Sequence, residues 1–461
     1  MRTDELAAIL GNAEQSEKEL RFSEALEAYK SIEKECIGLY QENYPIDTLY
    51  FKIGDLSSML GKYQNAMEYF KKSTEEVISK FEEKNERLIK IHERIAFVQY
   101  QLGNFDDSLR EAQNAMDLLE KMNKSESIDT AEIYDRMGSI YEKKGIYQKS
   151  LEMHKKAHSI RQKFQDLNTG KSYLKLGIIT ESLGQFKECE DYYRQAQQFC
   201  EKNLPEKHPF FLATLERIGS HLTKKKRVQE AIKILEKCLR LRRELYGNID
   251  HPDIADSLNA LGMAYHRQLK SQQALKCFEE SLEMKRTIFE NENYSMAETL
   301  NNKGRVCVVL ENYTEALELH NKALEIYLKK YGEEFPGTAS AYNNIGLAYL
   351  DQEKFEEAVK YVSKGLEIRT KLFGSEHQSV GDSMNNLGMI YANQKNYDLA
   401  LEYYEKCLSI RQISESPFTG DTFFNIALLY KYKKNWDKAM EYYNQAYRIY
   451  KENVGEYHLD V

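Results

Sequence analysis

The sequence predicts an all-α fold: an α-α superhelix of about eleven helical hairpins that runs as one continuous solenoid over residues 1–461. Three observations predict it: a fixed period, helical apolar spacing within every copy, and few helix breakers. A small anchor residue recurs at Ala13, Gly54, Ala96, Gly138, Gly177, Gly219, Gly262, Gly304, Gly346, Gly388 and Ala427, in steps of 39 to 43 residues. A period in this range marks stacked units that cover one another's apolar faces, not a closed enzyme domain. The 461 residues include only 6 prolines and 23 glycines, with 30% charged residues, which suits a chain that is helical throughout.

Within one copy, Met384, Leu387, Gly388 and Tyr391 form the stripe of a first helix, with a small residue where a partner helix must come close. Asn396 is read as the end of that helix. The apolar set then changes phase, and Tyr397, Ala400, Leu401, Tyr404 and Leu408 form the stripe of a second. The residue at Ala400 recurs as Ala66, Ala231, Ala274, Ala316, Ala358 and Ala439, marking the crossing of each pair. Between hairpins, Gly247, Gly332, Gly374 and Gly455 sit where left-handed caps are expected. The next helix is opened at Pro45, Pro209, Pro252, Pro336 or Pro417, because a first helical turn has no partner for the missing N–H. His208 and His251 beside two of these prolines lie a full repeat apart, so they are read as linker residues and not as a metal set.

No apolar run approaches the roughly 18 residues of a membrane helix, and Met1-Arg2-Thr3-Asp4-Glu5 lacks the layout of a secretion signal. A cytoplasmic protein without membrane insertion is expected. Cys36, Cys189, Cys200, Cys238, Cys277, Cys307 and Cys407 form no CxxC pair and are read as buried or half-buried thiols. A net charge of −8 gives no general attraction for nucleic acid. His154 and His158, four apart, are read as core or surface histidines, and Lys224-Lys225-Lys226-Arg227 as a solvated turn. There is no phosphate-binding glycine loop, HExxH or nucleophile elbow, so no enzyme activity, cofactor or metal is expected.

The spacing of small and aromatic residues resembles the tetratricopeptide repeat, whose usual unit is nearer 34 residues. The longer unit here, with Leu300-Asn301-Asn302, Tyr342-Asn343-Asn344 and Met384-Asn385-Asn386, then Ala323-Leu324-Glu325-Ile326 and a glycine-to-His-Pro linker, is similar to the repeats of kinesin light chains. Kinesin light chains carry a heptad coiled coil ahead of their repeats, whereas this first hairpin begins within about ten residues of Met1, so heavy-chain binding is not carried over. The resemblance implies that first helices line a concave groove, and that the ligand is an extended, acidic and aromatic segment of a protein partner.

On a first helix, positions six before, two before and one after the anchor share a face. Two before the anchor stand Lys52, Arg94, Arg136, Lys175 and Arg217, then, after Ala260, Asn302, Asn344, Asn386 and Asn425. The groove is therefore read as a basic half over about 1–250 and an amide half over about 251–461. Six before the anchor, Lys90 and Lys171 add to the first half, while Asp256, Glu298, Asp382 and Asp421 stand in the second. An Asn side chain matches both the C=O and the N–H of an extended backbone, and Met263, Leu347, Met389 and Leu428 supply apolar walls. The competing reading has the same residues stitching neighbouring repeats, with Glu93, Asp135 and Glu216 each serving the cation of the next repeat. The expected function is a non-enzymatic interaction scaffold. The alternatives are a regulatory repeat region of a larger signalling protein and a structural component of a cytoskeletal or ciliary assembly. Val454-Gly455-Glu456-Tyr457-His458-Leu459 reads as a linker into a twelfth hairpin, so the chain is expected to continue past Val461 or to cover that end by self-association.

Overall fold

The computed structural model describes residues 3–43, 45–80, 85–164, 166, 168–247 and 249–454. Among the described residues there are 22 helices and no strand, arranged as eleven hairpins. α1 (Thr3–Lys18) pairs with α2 (Phe22–Asn43), α3 (Ile46–Met59) with α4 (Tyr63–Lys80), α5 (Glu86–Gln101) with α6 (Phe105–Lys121), and α7 (Ile128–Lys143) with α8 (Tyr147–Phe164). Next come α9 (Thr169–Ser182) with α10 (Phe186–Asn203), α11 (Pro209–Lys224) with α12 (Val228–Tyr246), α13 (Pro252–Arg267) with α14 (Ser271–Ile288), and α15 (Tyr294–Val309) with α16 (Tyr313–Tyr331). The series closes with α17 (Pro336–Asp351) and α18 (Phe355–Phe373), α19 (Gln378–Asn393) and α20 (Tyr397–Ile413), α21 (Thr419–Tyr432) and α22 (Trp436–Val454).

The anchor glycine has a steric cause. A Cβ at Gly262 would lie 2.7 Å from the Phe278 ring, one at Gly388 2.6 Å from Tyr404, and one at Gly304 2.7 Å from His320. In each hairpin with a glycine anchor the residue sixteen positions on presses its side chain against the bare backbone, so the two helix axes come close. Where the anchor is Ala96, the opposing residue is Ala112, and the pair stays buried at 0% and 1% exposure. The alanines of the second helix, Ala66 through Ala400, are fully buried at the same crossings.

A recurring clamp joins five of the hairpins to the next, and sequence reading missed it. Twenty-three residues after the anchor stand Arg161, Arg242, Lys285, Arg369 and Arg411. Each reaches a hydroxyl on the following first helix: Ser172 at 2.7 Å, Ser257 at 2.6 Å, Thr299 at 2.9 Å, Ser383 at 2.9 Å and Thr422 at 2.8 Å. Four of them also hold a carboxylate of their own hairpin's first helix: Asp135, Glu216, Asp256 and Asp382. A charge this deep is tolerated only with such partners. Where the clamp cation is replaced by Val77, Leu119 or Tyr327, the facing residue becomes Ile91, Ile133 or Ala341, so the polar and apolar versions alternate as matched pairs.

The superhelix is wound tightly enough for successive turns to touch. The hairpin bend at Gly61 meets Pro252, Gly103 meets Tyr331 and Asn293, Gly145 meets Pro336 and Phe373, and Gly184 meets Gln378 and Ser414. Each bend thus packs against the linker about five repeats later. These bends have φ of 72°, 78°, 78° and 77°, which glycine adopts freely, and at Gly61, Gly103 and Gly145 the sterics of the next winding are the stronger reason. The later bends have equally positive φ, 60° at Leu269, 60° at Glu311, 59° at Glu353 and 62° at Lys395, yet carry side chains because those side chains point to solvent. The sixth bend carries Lys226, which crosses to Asp421 at 2.9 Å, 195 residues away. Aromatic stacks fill the seam between windings, Tyr63 on Phe289 at 5.9 Å, Phe105 on Tyr331 at 5.3 Å and Tyr147 on Phe373 at 4.9 Å.

Two histidines bolt this seam. His251 caps α13 by accepting from the Asp253 N–H at 3.1 Å through Nδ1, and its Nε2–H donates to the Met59 carbonyl at 2.7 Å. His377 does the same for α19, with the Ser379 N–H at 3.2 Å and the Ser182 carbonyl at 2.9 Å. His208 caps α11 in the same way, through the Phe210 N–H at 3.2 Å. The linker histidines are therefore capping residues.

Several local expectations are corrected. Asn396 does not end α19; it caps α20 by accepting from the Leu399 N–H. Gly247, Gly332 and Gly374 have positive φ of 67°, 81° and 86°, but ψ of −143°, −173° and 164°, so they lead into an extended linker instead of closing a left-handed cap. Pro209, Pro252 and Pro336 are the first residues of their helices, whereas Pro45 is the cap of α3 and Pro417 lies in the turn before α21. The run Lys224 to Arg227 is not a free solvated turn: its members pair with Glu181, Glu190, Asp421 and Glu230. His154 is a core residue, 2% exposed, on Asp135 at 2.9 Å, and His158 lies half-buried beside the Tyr173 ring. Six cysteines, all but Cys36, are free and buried. The Cys36 side chain, Gly455 and the start of a twelfth hairpin lie outside the described residues.

Replacing Gly103 by Lys should wedge the windings apart: small-angle scattering should give a larger radius of gyration with unchanged helical circular dichroism, whereas Lys395→Gly, at a solvent-facing bend, should leave both unchanged. Acid should loosen the same seam. Burial is the main cause that holds the His251 and His377 pKa values below the ordinary 6.5, so the unfolded chain binds protons first as pH falls. Stability from these groups is complete above about pH 6.5 and is lost as pH falls through their folded values. The Tm should drop between pH 7 and 5, and drop less in a His251→Asn/His377→Asn double variant, whose caps do not titrate.

Candidate functional site

Consecutive first helices pack directly on one another, as α11 does on α13 and α15 on α17, and no pair of second helices packs to that extent. First helices therefore line the inner side of the winding, and the columns of the sequence analysis fall on that side.

In the basic column the structure separates paired from unpaired cations. Lys52 lies 2.7 Å from Glu17, Arg94 lies 3.0 Å from Asp55 and 3.5 Å from Glu93, and Arg136 lies 2.9 Å from Glu93. Arg136 also covers the Phe97 ring, 4.8 Å from its centroid. These three join neighbouring repeats, and their charge is largely spent. Lys175 and Arg217 differ. Lys175 touches only the Ser139 hydroxyl, at 3.0 Å, and no carboxylate among the described residues reaches either cation. The reason is competition. Asp135 stands one repeat before Lys175 in the place that Glu93 holds before Arg136, but His154 and the clamp residue Arg161 take it. For Arg217 the equivalent place holds Leu174, and its own neighbour Glu216 is taken by Arg242. Burial, with help from Arg136 and Arg217 and against Asp135 and Glu142, pushes the Lys175 pKa down to about 8, so it is still a cation at pH 7. Arg217 is exposed, and although burial works against its charge, Glu216 and then Glu142 outweigh it and raise its pKa, neither making an ion pair with it. Lys143 stands close by with its ammonium 4.8 Å from the Tyr294 ring centroid, which belongs to the next winding.

A pocket of about 300 Å³ between α3, α5 and α7 is lined by Lys90 and Arg94 but also by Glu93, Asp129 and Glu132. Its mixed lining gives no preference for an anion. Burial is the main cause that lowers the Lys171 pKa.

The amide column forms a ladder. Asn302 donates to Asn259 at 3.2 Å, Asn386 to Asn343 at 3.0 Å and Asn425 to Asn385 at 3.2 Å. Each bond uses one N–H of the later Asn and leaves its oxygen and second N–H unused within the ladder, so a donor and an acceptor remain at each rung. Asn344 breaks the series. Its counterpart Asn301 is occupied by the His320 Nδ1 at 2.5 Å, and Asn344 makes no hydrogen bond among the described residues. Of the acids six before the anchor, Asp256 and Asp382 serve the clamps at 3.1 and 2.7 Å, and Asp421 serves Lys226. These three acids act in structure. The apolar wall of Met263, Leu347 and Met389 is half-buried, and Arg305 interrupts it, a residue the sequence reading passed over although it stands in the same column.

Chemically the inner face offers backbone-like amides, apolar walls and, at Lys175 and Arg217, adjacent cations with no carboxylate in ion-pair contact among the described residues. No group of His, Cys, Asp and Glu suited to a metal ion occurs among the described residues, and none of their helices is long and apolar enough to cross a membrane.

Comparison with known proteins adds the lineage. A tetratricopeptide repeat family model matches residues 87–163, 129–202, 210–287, 295–371, 337–413 and 379–452, and a second such model matches 47–76. No curated protein sequence matches the chain. Among solved structures, a Rap protein complexed with competence and sporulation factor is similar over 79% of this chain and 98% of its own, with 16% identity and a TM-score of 0.61. The nearly identical repeats of a putative kinesin light chain from Podosopora anserina are similar over 44% of this chain and 96% of their own, with 23% identity and a TM-score of 0.35. BtubC (BKLC) from P. vanneervenii is similar over 53% and 94%, with 20% identity and a TM-score of 0.38. With matched residues spread over most of its length, the chain belongs to the tetratricopeptide repeat family.

Proposed function

We propose that the chain is a non-enzymatic interaction scaffold whose inner groove captures an extended, acidic segment of a partner protein. The observation that carries this reading is the pair Lys175 and Arg217: two adjacent positions of one column, on neighbouring first helices, that keep a cation without a carboxylate while the three cations before them are paired. Leaving such charge unmatched on an enclosed face costs stability unless a ligand anion completes it. The amide rungs from Asn302 onward would hold the backbone of the same segment, and Met263, Leu347, Met389 and Leu428 would hold its aromatic or apolar side chains. A Rap protein of the same fold is solved in complex with competence and sporulation factor, which supports ligand capture by such a winding.

A second reading, a regulatory or structural array joined through its end, is favoured by the last hairpin. Trp436 and Met440 are 63% and 61% exposed, although Tyr397 and Leu401 at the same repeat positions are packed by the following hairpin. On this reading a Trp436→Glu/Met440→Glu variant should abolish concentration-dependent self-association measured by light scattering. A wild-type chain that is monomeric at every concentration would sink it.

The groove reading is tested by charge reversal at the free cations. Lys175→Glu with Arg217→Glu should weaken capture of fluorescent Tyr-containing acidic decapeptides at least tenfold, on the scale of two lost charged hydrogen bonds, with the Tm nearly unchanged. Arg136→Glu should instead cost about 3 kcal/mol of stability, because it sets a carboxylate against the buried Glu93. Equal peptide affinity in the Lys175/Arg217 double variant and wild type would refute the assignment.

A further inference from the structure

The groove's amide half contains one cation that nothing in the fold explains. Arg305, one residue after the anchor Gly304, is half-buried, and among the described residues its only hydrogen-bond contact is with the Met263 sulfur at 3.9 Å. Every neighbouring member of its column is apolar: Met263 before it, Leu347, Met389 and Leu428 after it. Burial and then another cation, Arg267, lower its pKa, and no carboxylate acts against them. The two histidines beside it do not compensate: burial first, then Arg305 itself, keeps His266 neutral with a pKa near 4 and His320 near 3. His320 uses Nδ1 on Asn301, and His266 Nδ1 is buried without a partner among the described residues.

A second unpartnered donor stands next to it. In this solenoid a residue two before the anchor has two neighbours on the preceding first helix, the residue three before its anchor, which Arg136 and the amide rungs use, and the residue one after it, which Arg94 uses at Asp55 and Lys175 at Ser139, both at 3.0 Å. Asn344 on α17 therefore has Asn301 and Arg305 of α15 as its register neighbours, and with Asn301 held by His320 the position left open to it is that of Arg305; the two helices pack together. Asn344 is also the one member of the amide column that makes no bond to the repeat before it. A guanidinium and an amide at neighbouring register positions, neither with a carboxylate or amide partner among the described residues, fit one carboxylate.

We propose that Arg305 and Asn344 form a second anchor, for a carboxylate of the bound chain, two first helices beyond Arg217. This inference rests on the groove reading above and adds a ruler to it. Neighbouring first helices lie roughly 10 Å apart, so Arg217 and Arg305 are separated by roughly 20 Å along the groove, and an extended peptide spans that in about six residues. The ligand is then a doubly acidic extended peptide with its carboxylates about six positions apart. The second carboxylate comes from an Asp or Glu side chain or from a free C-terminus.

The test uses the whole chain and N-acetylated, fluorescein-labelled decapeptides of Gly, Ser and Tyr read by fluorescence anisotropy. One peptide carries a single Glu, a series carries two Glu at separations of three to nine, and a further pair carries one Glu with a free or amidated C-terminus six residues on. The six-residue spacing should bind about tenfold tighter than the single-Glu peptide, the gain of one charged hydrogen-bonding site. Whichever of the internal Glu or the free C-terminus gives that gain identifies the source. Arg305→Gln should remove the gain and leave the single-Glu affinity and the helicity as they were, Arg305→Lys should restore part of it, and Asn344→Ala should reduce it. Equal affinity at all spacings would overturn the inference, as would an Arg305→Gln variant that weakens one-acid and two-acid peptides alike, the mark of a merely structural arginine. If Lys175→Glu/Arg217→Glu abolishes binding while Arg305→Gln changes nothing, the second anchor falls and the groove stands. If neither variant changes binding, both fall.

Discussion

The contact between successive windings is the constraint on which the rest of the molecule depends. Helical hairpins stacked side by side need only bury their own stripes, and a loose spiral would satisfy them. Here the bends of repeats two to five carry no side chain, so the linkers of later repeats settle directly on them, with Pro252, Tyr331 and Pro336 in the space a Cβ would fill at the first three and Gln378 in ordinary contact at the fourth. The contact turns an open groove into the interior of a coil. It also places residues about five repeats apart within reach, which is how Lys143 comes to lie under Tyr294 and Lys226 beside Asp421.

Within each winding, the allocation of carboxylates decides what the inner face can do. Acids on first helices are claimed from two directions, by the cation of the next repeat on the inner side and by the buried clamp cation of their own second helix. The clamp wins wherever it is a full ionic one, because a buried guanidinium without a carboxylate is far more costly than a half-exposed lysine without one. Glu93 has no clamp to serve, since the residue at that place is Leu119, so it remains with Arg136. Asp135 and Glu216 go to Arg161 and Arg242, and the inner cations Lys175 and Arg217 are left with no carboxylate in ion-pair contact among the described residues. Functional charge on the groove is in this sense a by-product of how the core is stitched.

Most of the frame was legible in the chain. The anchor column, the buried alanines and the phase change between helices follow from local sterics and amphipathic spacing, which repeat unit by unit and need no knowledge of distant partners. The clamp was also written there, as Arg161, Arg242, Lys285, Arg369 and Arg411 at one phase and Ser or Thr at another. It was missed because a charged residue at a core phase reads as surface until its partner column is set beside it. The bend column carried a similar signal, with glycine at 61, 103, 145 and 184 and Leu269, Glu311, Glu353, Lys395 and Lys434 later.

What the sequence determined by itself is the period, the hairpin and the face that looks inward, because all three depend on neighbours within one repeat or the next. What only the tertiary structure decided is which of the inward residues remain available. Lys52, Arg94 and Arg136 look the same as Lys175 and Arg217 along the chain, and Asn344 the same as Asn302. Their difference lies in competition for a limited set of carboxylates and amides, whose outcome depends on buried distances that span 26 to 43 residues. The winding adds contacts at 192 to 195 residues, which no local pattern encodes.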